Sequence, residues 1–357
     1  MKDFVHVQLP GRIVFGAGSF SRVPAELEAM GASRVLVLAD SMAKAEADRL
    51  RDDLGDRLVG RIDEIRAHVP GDDVAGAREL AAVTAADALV TIGGGSATGL
   101  GKAVMLETEL RFLAVPTTYA GSEMTPIFGI TEGGVKRTGR DPRVKPRTVV
   151  YDVELTLQLA PEVTAGSTMN ALAHCVEALY AAERNPVVSL MALEGVQALQ
   201  QGAIAVTENP RDLAGRSDLQ YGAYLAGASL GSVGMAVHHR ICHVLGGTFG
   251  LAHGDANAVI LPYAVAYNAD SEPEVMRQLA AALGVSDAAT GLRELAERLG
   301  APTSLAVLGM NEADVARAAA MVVAGASYNP RPVELGWIEQ LLRDALAGLP
   351  PASRSER

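Results

Sequence analysis

Three short apolar runs, at 34–40, 86–92 and 111–116, are continuous rather than alternating. A strand with one face in water alternates apolar and polar residues. An unbroken run marks a strand buried on both faces, as happens where helices cover a parallel sheet. A shorter run at 12–15 ends on Gly16-Ala17-Gly18, and helical patterns at 23–30 and from Ser41 to about Leu54 lie between the runs. This β-α-β alternation predicts a doubly wound parallel sheet. After about Asp152 strand signals nearly vanish, and Ala- and Leu-rich helical patterns take over at 167–183, 186–208, 274–283 and 312–326. The expected fold is an α/β nucleotide-binding domain over 1–153 and an all-α domain over 154–357, with a frayed polar end from Pro350. A chain of 357 residues suits two such domains better than one small core.

Composition removes several function classes. The net charge is -11 and no basic run stands out, which argues against nucleic acid and anionic membranes as partners. An anionic substrate must then be held by a local basic site. The uncharged stretch 219–237 carries too many glycines and polar groups for a lipid-facing span, and its Gly227-x-x-x-Gly231 spacing suggests a closely packed buried helix. Two cysteines, Cys175 and Cys242, make no disulfide framework or zinc spacing, and no leader-like apolar segment opens the chain. The expected location is the cytoplasm.

Gly93-Gly94-Gly95-Ser96 lies between a buried run and a helix beginning near Ala97, where a phosphate-binding turn belongs. Glycines allow close backbone approach to a pyrophosphate, and a helix N-terminus offers N–H groups. The same turn can also exist for geometry alone. Gly16-x-Gly18 is a weaker candidate, because it lacks a third glycine. Asp40 ends its run where a carboxylate can take two ribose hydroxyls and repel a 2′-phosphate, which favours NADH over NADPH. It can equally be a helix N-cap. The hydroxyl-rich segment Pro116-Thr117-Thr118-Tyr119-Ala120-Gly121-Ser122 follows the third run, and reads either as a crevice loop or as an ordinary turn.

Five of seven histidines fall between His174 and His253. Asn170 and His174 share one helix face at i,i+4, as do His239 and His243; His238 and His253 lie nearby in sequence. Imidazoles gathered in this way point to a metal or to proton transfer.

Together, Gly93-Gly94-Gly95-Ser96, Pro116-Thr117-Thr118, Asn170-x-x-x-His174 and His239…His243…His253-Gly254 resemble the iron-containing (group III) alcohol dehydrogenase superfamily, whose fold dehydroquinate synthase and glycerol dehydrogenase share. In its metal-dependent members an Asp and three His hold a divalent ion. The resemblance carries those positions onto Asn170, His174, His239 and His253, with His243 as the extra histidine near the nicotinamide. This chain departs from the pattern at Asn170, where a neutral amide replaces the carboxylate, and at Gly99, where many relatives have Asp. The resemblance therefore implies a vestigial metal site and no required metal.

These departures, with the segments 170–180 and Tyr328-Asn329-Pro330-Arg331-Pro332, are similar to the maleylacetate reductase branch. That likeness implies NADH-dependent reduction of a C=C bond in a small dicarboxylate during aromatic degradation, by a homodimer. Gly93, Gly94, Gly95, Ser96, Asp40, Thr117, Thr118, Ser122 and Lys136 are then cofactor candidates; Tyr119, Ser122, Tyr328 and Arg331 are carboxylate contacts. Arg331 as a surface ion-pair residue stays open. Without a metal, His174, His239 and His253 would be free to take protons, and His243 is the candidate proton donor. NADPH stays open as a second cofactor. The alternatives are a metal-dependent alcohol or polyol dehydrogenase, a lyase related to dehydroquinate synthase, and a non-catalytic dinucleotide sensor.

Overall fold

The computed structural model describes residues 4–7, 9, 11–133 and 135–352, without the side chains of residues 135 and 136. The chain forms two compact units, Gln8–Gln158 and Met1–Val7 with Leu159–Arg357. The sequence reading set the division at 153/154; the observed one falls after the short turn that follows the last strand.

The first unit contains β1 (Arg12–Phe15), α1 (Val23–Ala29), β2 (Val35–Ala39), α2 (Lys44–Leu54), β3 (Leu58–Ile62), α3 (Gly71–Val83), β4 (Ala88–Gly93), α4 (Gly95–Met105), β5 (Arg111–Pro116), β6 (Ile127–Glu132), β7 (Val135–Arg140) and β8 (Thr148–Tyr151). Six strands form a parallel sheet in the order β1-β8-β5-β4-β2-β3, and β6 and β7 form an antiparallel hairpin. The unbroken runs are explained by the two cores. Val35, Val37 and Ala39 of β2 pack with Ala47, Leu50 and Leu54 of α2 on one face. Leu36 and Leu38 pack with Val74 and Ala77 of α3 and Leu100 and Val104 of α4 on the other. Removing both faces of a strand from water selects apolar residues at every position.

The strand order also fixes where a ligand can sit. From β2 the chain crosses through α2 to β3, outward on one side. From β4 it crosses through α4 to β5, on the other side. Adjacent strands whose connections leave in opposite directions and on opposite faces open a crevice at their carboxyl ends. In this sheet those ends are Asp40 and Gly93.

The second unit is helical: α5 (Pro161–Tyr180), α6 (Pro186–Glu208), α7 (Leu213–Ser232), α8 (Val237–Phe249), α9 (His253–Asn268), α10 (Pro273–Leu283), α11 (Ala288–Arg298), α12 (Glu312–Ala324) and α13 (Leu335–Ala347). Ile241 and Leu245 of α8, Val259 and Tyr263 of α9, Val315 and Val322 of α12, and Ile338 and Leu342 of α13 share one core. The stretch 219–237 lies largely in α7, with Leu219, Ala223, Ala226 and Leu230 buried. Helix α7 approaches α6 closely at Gly215, against Gly202, and at Gly222, against Leu199. Among the described residues no helix is long and apolar enough to cross a membrane.

Candidate active site

Two sites take shape, one in each unit. In the α/β unit, Asp40 ties the crevice together. Its Oδ1 accepts the N–H groups of Met42 and Ala43, and its Oδ2 accepts that of Gly94 at 2.9 Å. The N-cap reading of Asp40 therefore holds, and the same carboxylate also anchors the glycine turn. Gly93 has φ +148°, and a Cβ there would fall 2.2 Å from Asp40 Oδ2. Helix α4 begins at Gly95, two residues earlier than the sequence suggested. The N–H of Gly94 is taken by Asp40, so those of Gly95, Ser96 and Ala97 are the ones a helix N-terminus offers to an anion. Thr118 walls this turn, its Cγ2 lying 3.0 Å from where a Cβ on Gly94 would be, and the Thr117 N–H donates to the Gly93 carbonyl. Gly16-Ala17-Gly18 serves another purpose: the N–H groups of Gly18 and Phe20 donate to Asp152.

Gly99 is explained by packing. A Cβ there would lie 2.9 Å from Val69 Cγ2, and Val69 itself has φ 55°, so an Asp at this position would have to displace a neighbour in an uncommon conformation.

Ser122 and Tyr119 are placed differently from expectation. The fully buried ammonium of Lys102 donates to the carbonyl and hydroxyl of Ser122, to Thr125 Oγ1 at 2.9 Å and to the Ile127 carbonyl at 2.8 Å. Ser122 is thus a brace for its loop, because its polar atoms already serve Lys102. Tyr119, expected as a carboxylate contact, has no exposed surface. The side chain of Lys136 lies outside the described residues.

Burial pushes Lys102 down to about 7, against the pull of buried Glu123. A lowered folded pKa means that the unfolded chain binds more protons between about 7 and the ordinary lysine value near ~10.4. Stability attributable to Lys102 should therefore rise with pH across that window. Whatever their offset at pH 7, wild type should gain on Lys102→Met, by up to about 1.4 kcal/mol per pH unit. Denaturant unfolding of both proteins at pH 7.5 and 9.5 checks this; a parallel response removes the buried-charge reading.

In the helical unit the structure brings all five histidines together. His174 and His239 stack with ring centroids 5.0 Å apart. His238 meets His239 edge-on at 4.9 Å, His239 meets His243 at 6.3 Å, and His243 stacks on His253 at 6.1 Å. The cluster runs from inside to outside: His174, His238 and His239 are buried, while His243 and His253 are exposed. Three helices supply it, α5 with His174, α8 with His238, His239 and His243, and α9 with His253, and close backbone contact joins α5 to α9. Gly254, beside His253 at the start of α9, packs on Gly166 of α5, and a Cβ on Gly254 would lie 3.1 Å from the Gly166 Cα. Gly254→Ala should therefore force α9 away from α5, at a cost of about 1–3 kcal/mol, and move His253 relative to His174. Thermal unfolding and kcat together check this; an unchanged kcat would mean that the spacing is not critical.

Burial decides the charge of the inner rings. His239 is pushed down to about 4 and His238 to about 3; His174 is held well below the ordinary histidine value by burial first and by its imidazole neighbours second. Burial therefore favours the neutral form of His174 and His239, against the expectation that they take protons. Outer His243 and His253 are the ones water reaches.

Glu177 is the residue the sequence reading passed over. It is fully buried on α5, and its Oε2 accepts the Ala236 N–H and meets His239 Nδ1, while its Oε1 accepts the His238 N–H, each at 2.8 Å. A signal was available: Glu177 follows Asn170 by seven residues and His174 by three, on one helix face. Glu177, His238 and His239 bring ligand-type atoms within 4.8 Å of one another. That group is already a closed hydrogen-bond network.

Arg331 is buried, not a surface ion-pair residue. Its guanidinium lies 4.2 Å from the Tyr267 ring centroid and 4.5 Å from that of Trp337, and donates to the Tyr267 carbonyl. Its Nη2 is buried with no hydrogen-bond partner. Asn329, two residues earlier, accepts from the Val237 N–H and exchanges hydrogen bonds with Asn268, which ties this loop to the start of α8. Tyr328 is partly exposed at 39%.

The resemblance to iron-containing alcohol dehydrogenases implies an ion at these positions. Asn170, His174, His239 and His253 offer one amide and three imidazoles and no carboxylate. The nearby buried carboxylate, Glu177, accepts two backbone N–H groups and meets His239 Nδ1. Ferrous ion in such sites is typically held with a carboxylate, and a buried dication needs compensating charge. The donor set does not fit a tightly held iron ion.

Comparison with known proteins agrees with this architecture. Residues 10–153 match the iron-containing alcohol dehydrogenase family, and residues 164–346 match the C-terminal domain of the Fe-containing alcohol dehydrogenase family. The maleylacetate reductase of Burkholderia cepacia is 50% identical over 341 residues, covering 96% of this chain and 97% of that one. The maleylacetate reductase of Sphingobium indicum is 49% identical, covering 98% and 99%. The crystal structure of maleylacetate reductase from Rhizobium sp. strain MTP-10005 superposes with a TM-score of 0.95 at 44% identity, covering 98% of this chain and all of that one. The chain belongs to the iron-containing alcohol dehydrogenase family, in its maleylacetate reductase branch.

Proposed function

We propose that this chain reduces the carbon–carbon double bond of maleylacetate to give 3-oxoadipate, with NADH as hydride donor and without a catalytic metal. The observation that carries this reading is the imidazole cluster at a metal position that has lost its carboxylate. It retains proton-handling groups and lacks the ligand charge an alcohol dehydrogenase uses. The relatives' names supply the substrate.

Hydride adds to the alkene carbon β to the ketone, the electron pair moves onto the ketone oxygen as an enolate, and a proton then adds at the α carbon. Exposed His243 is the proton donor, with His253 stacked beside it. The buried rings, being neutral, hold the cluster's geometry and do not carry charge. Arg331 takes a substrate carboxylate: its guanidinium is pre-oriented between two rings, and its buried Nη2 has no hydrogen-bond partner of its own. Tyr328, in the same segment, is a further carboxylate contact. The pyrophosphate of NADH is assigned to the N-terminus of α4 at Gly95 and Ser96, walled by Thr117 and Thr118. Asp40 supports NADH over NADPH, since its carboxylate stands in the crevice and repels a 2′-phosphate. We also propose a cytoplasmic homodimer. The location is supported by two buried free thiols, and the dimer by an open sheet edge at β1.

The test is NADH consumption with maleylacetate by chelator-treated protein. Rapid turnover is expected. No turnover, recovered by Fe²⁺ or Zn²⁺, would replace the metal-free mechanism with a metal-dependent one; no turnover under either condition would leave the alcohol dehydrogenase or sensor reading. The metal-dependent reading has three observations in its favour: the partnerless buried Nε2 of His239, the partnerless buried Nδ1 of His174, and the Glu177–His238–His239 group.

Asn170→Asp should restore the missing charge. An opposite unit charge at contact is worth about 4 kcal/mol at an effective dielectric of about 20, so divalent-metal affinity should rise by more than about tenfold. Metal analysis after dialysis checks it, and an unchanged content would sink the assignment of these four positions.

A further inference from the structure

We propose that Glu177 is a positioning residue that holds His239 as its Nδ1–H tautomer and thereby presents an unprotonated Nε2 to the imidazole cluster. The proposal rests on the reading that this cluster is the reaction site.

Two independent observations lead to it. First, three nitrogens converge on one carboxylate. The Ala236 N–H and His239 Nδ1 lie on Oε2, and the His238 N–H lies on Oε1, each at 2.8 Å. Two of these are backbone donors, whose direction is fixed. A carboxylate that accepts on both oxygens from main-chain groups calls for a donor, not an acceptor, as its third partner. Second, His238 reaches the same answer from the other side. Its Nε2 lies 3.3 Å from the Asn257 carbonyl oxygen, so that nitrogen carries the proton and Nδ1 carries a lone pair. The lone pair faces His239 Nδ1 at 3.4 Å. Two lone pairs would repel there; a proton on His239 Nδ1 removes the conflict.

The consequence is chemical. His239 Nε2 is buried, has no hydrogen-bond partner, and belongs to a ring stacked on His174. As an acceptor it can orient a neighbouring N–H or O–H, but it cannot hand a proton to an enolate. That task then falls to the outer rings. One carboxylate sets both this imidazole and the helix that carries it, because the backbone N–H groups it binds are those at the start of α8. Three residues on from His174, Glu177 thus links α5 to the first turn of α8 through charge-assisted bonds.

The variants follow from hydrogen-bond arithmetic. Glu177→Gln can turn its carbonyl oxygen toward Ala236 and His239, placing the amide nitrogen against the His238 N–H; it loses one backbone bond and keeps the tautomer. Glu177→Leu keeps the volume and loses every bond. Histidine-selective ¹⁵N labelling reads the tautomer directly, with the His239 signals assigned by their loss in His239→Asn. Wild type and Glu177→Gln should both show His239 protonated at Nδ1. Glu177→Leu should show an Nε2–H or averaged pattern, and its kcat should fall at least about tenfold with NADH affinity unchanged. An Nε2–H pattern for His239 in wild type overturns the proposal, as does a Glu177→Leu protein with the wild-type pattern or kcat. If Glu177→Leu does not fold, the wild-type and Glu177→Gln spectra decide. The spectra need no substrate, so a protein inactive on maleylacetate but protonated at Nδ1 would lose the reaction and keep the positioning.

Discussion

Gly93→Ala is expected to yield a protein that no longer retains NADH. The residue sits at the carboxyl end of β4 with φ +148°, a conformation that side chains rarely adopt. A Cβ there would stand 2.2 Å from Asp40 Oδ2, 2.7 Å from its Cγ and 2.9 Å from the Ala97 Cβ. Neither neighbour can retreat cheaply. Asp40 is held by the N–H groups of Met42, Ala43 and Gly94, and Ala97 is in the first turn of α4. Strain of this kind costs about 1–3 kcal/mol from the backbone alone, with steric overlap in addition. The relief available is to push Asp40 off the Gly94 N–H, which dismantles the crevice between β2 and β4 and the start of α4 together. NADH affinity should fall by more than about 100-fold, equivalent to about 2.7 kcal/mol, and thermal stability should drop. Fluorescence titration with NADH reads the first and thermal unfolding the second. A variant that binds NADH normally would show that the cofactor sits elsewhere.

His243→Ala is expected to lower kcat by about 10²- to 10⁴-fold, the usual contribution of a positioned acid, while leaving NADH affinity close to wild type. The separation is the informative part. His243 is exposed at the outer end of the cluster, stacked on His253 and edge-on to His239. Its removal should disturb packing little, because little of it is buried. A protein that loses stability along with rate would point to a scaffold role. One that keeps its rate would move proton donation to His253, the other ring that water reaches.

The two departures from the wider family have different physical explanations. Gly99 is set by packing against Val69. Asn170 changes the charge of the donor set, and the neighbouring carboxylate of Glu177 is already engaged by two backbone N–H groups and His239 Nδ1.

What the amino-acid sequence determined by itself was the class of fold and the positions of its chemistry. Burial on both faces leaves an unbroken apolar run, so β2, β4 and β5 were readable within two residues, and glycine and histidine clusters announced their neighbourhoods. Strands β3, β6, β7 and β8 were not read: the five residues of β3 are only half-buried and β8 is four residues long; after Gly231, α10 and α12 were read, whereas α9, buried at every position from Ala256 to Asn268, has no polar face to mark its period. Only the tertiary structure decided which side chains were already occupied. Asp40 proved to be a cap and a clasp as well as a ribose candidate, Ser122 a brace for Lys102, Tyr119 a core ring, and Arg331 a buried cation held between two aromatic faces. It also divided the histidines into inner rings kept neutral and outer rings open to water. Periodicity reports which face of an element leaves water, a property of neighbouring residues. Charge state and hydrogen-bond commitment depend on groups far apart in the chain, as Glu177 is from the helix whose first turn it holds, and so they exist only once the chain has folded.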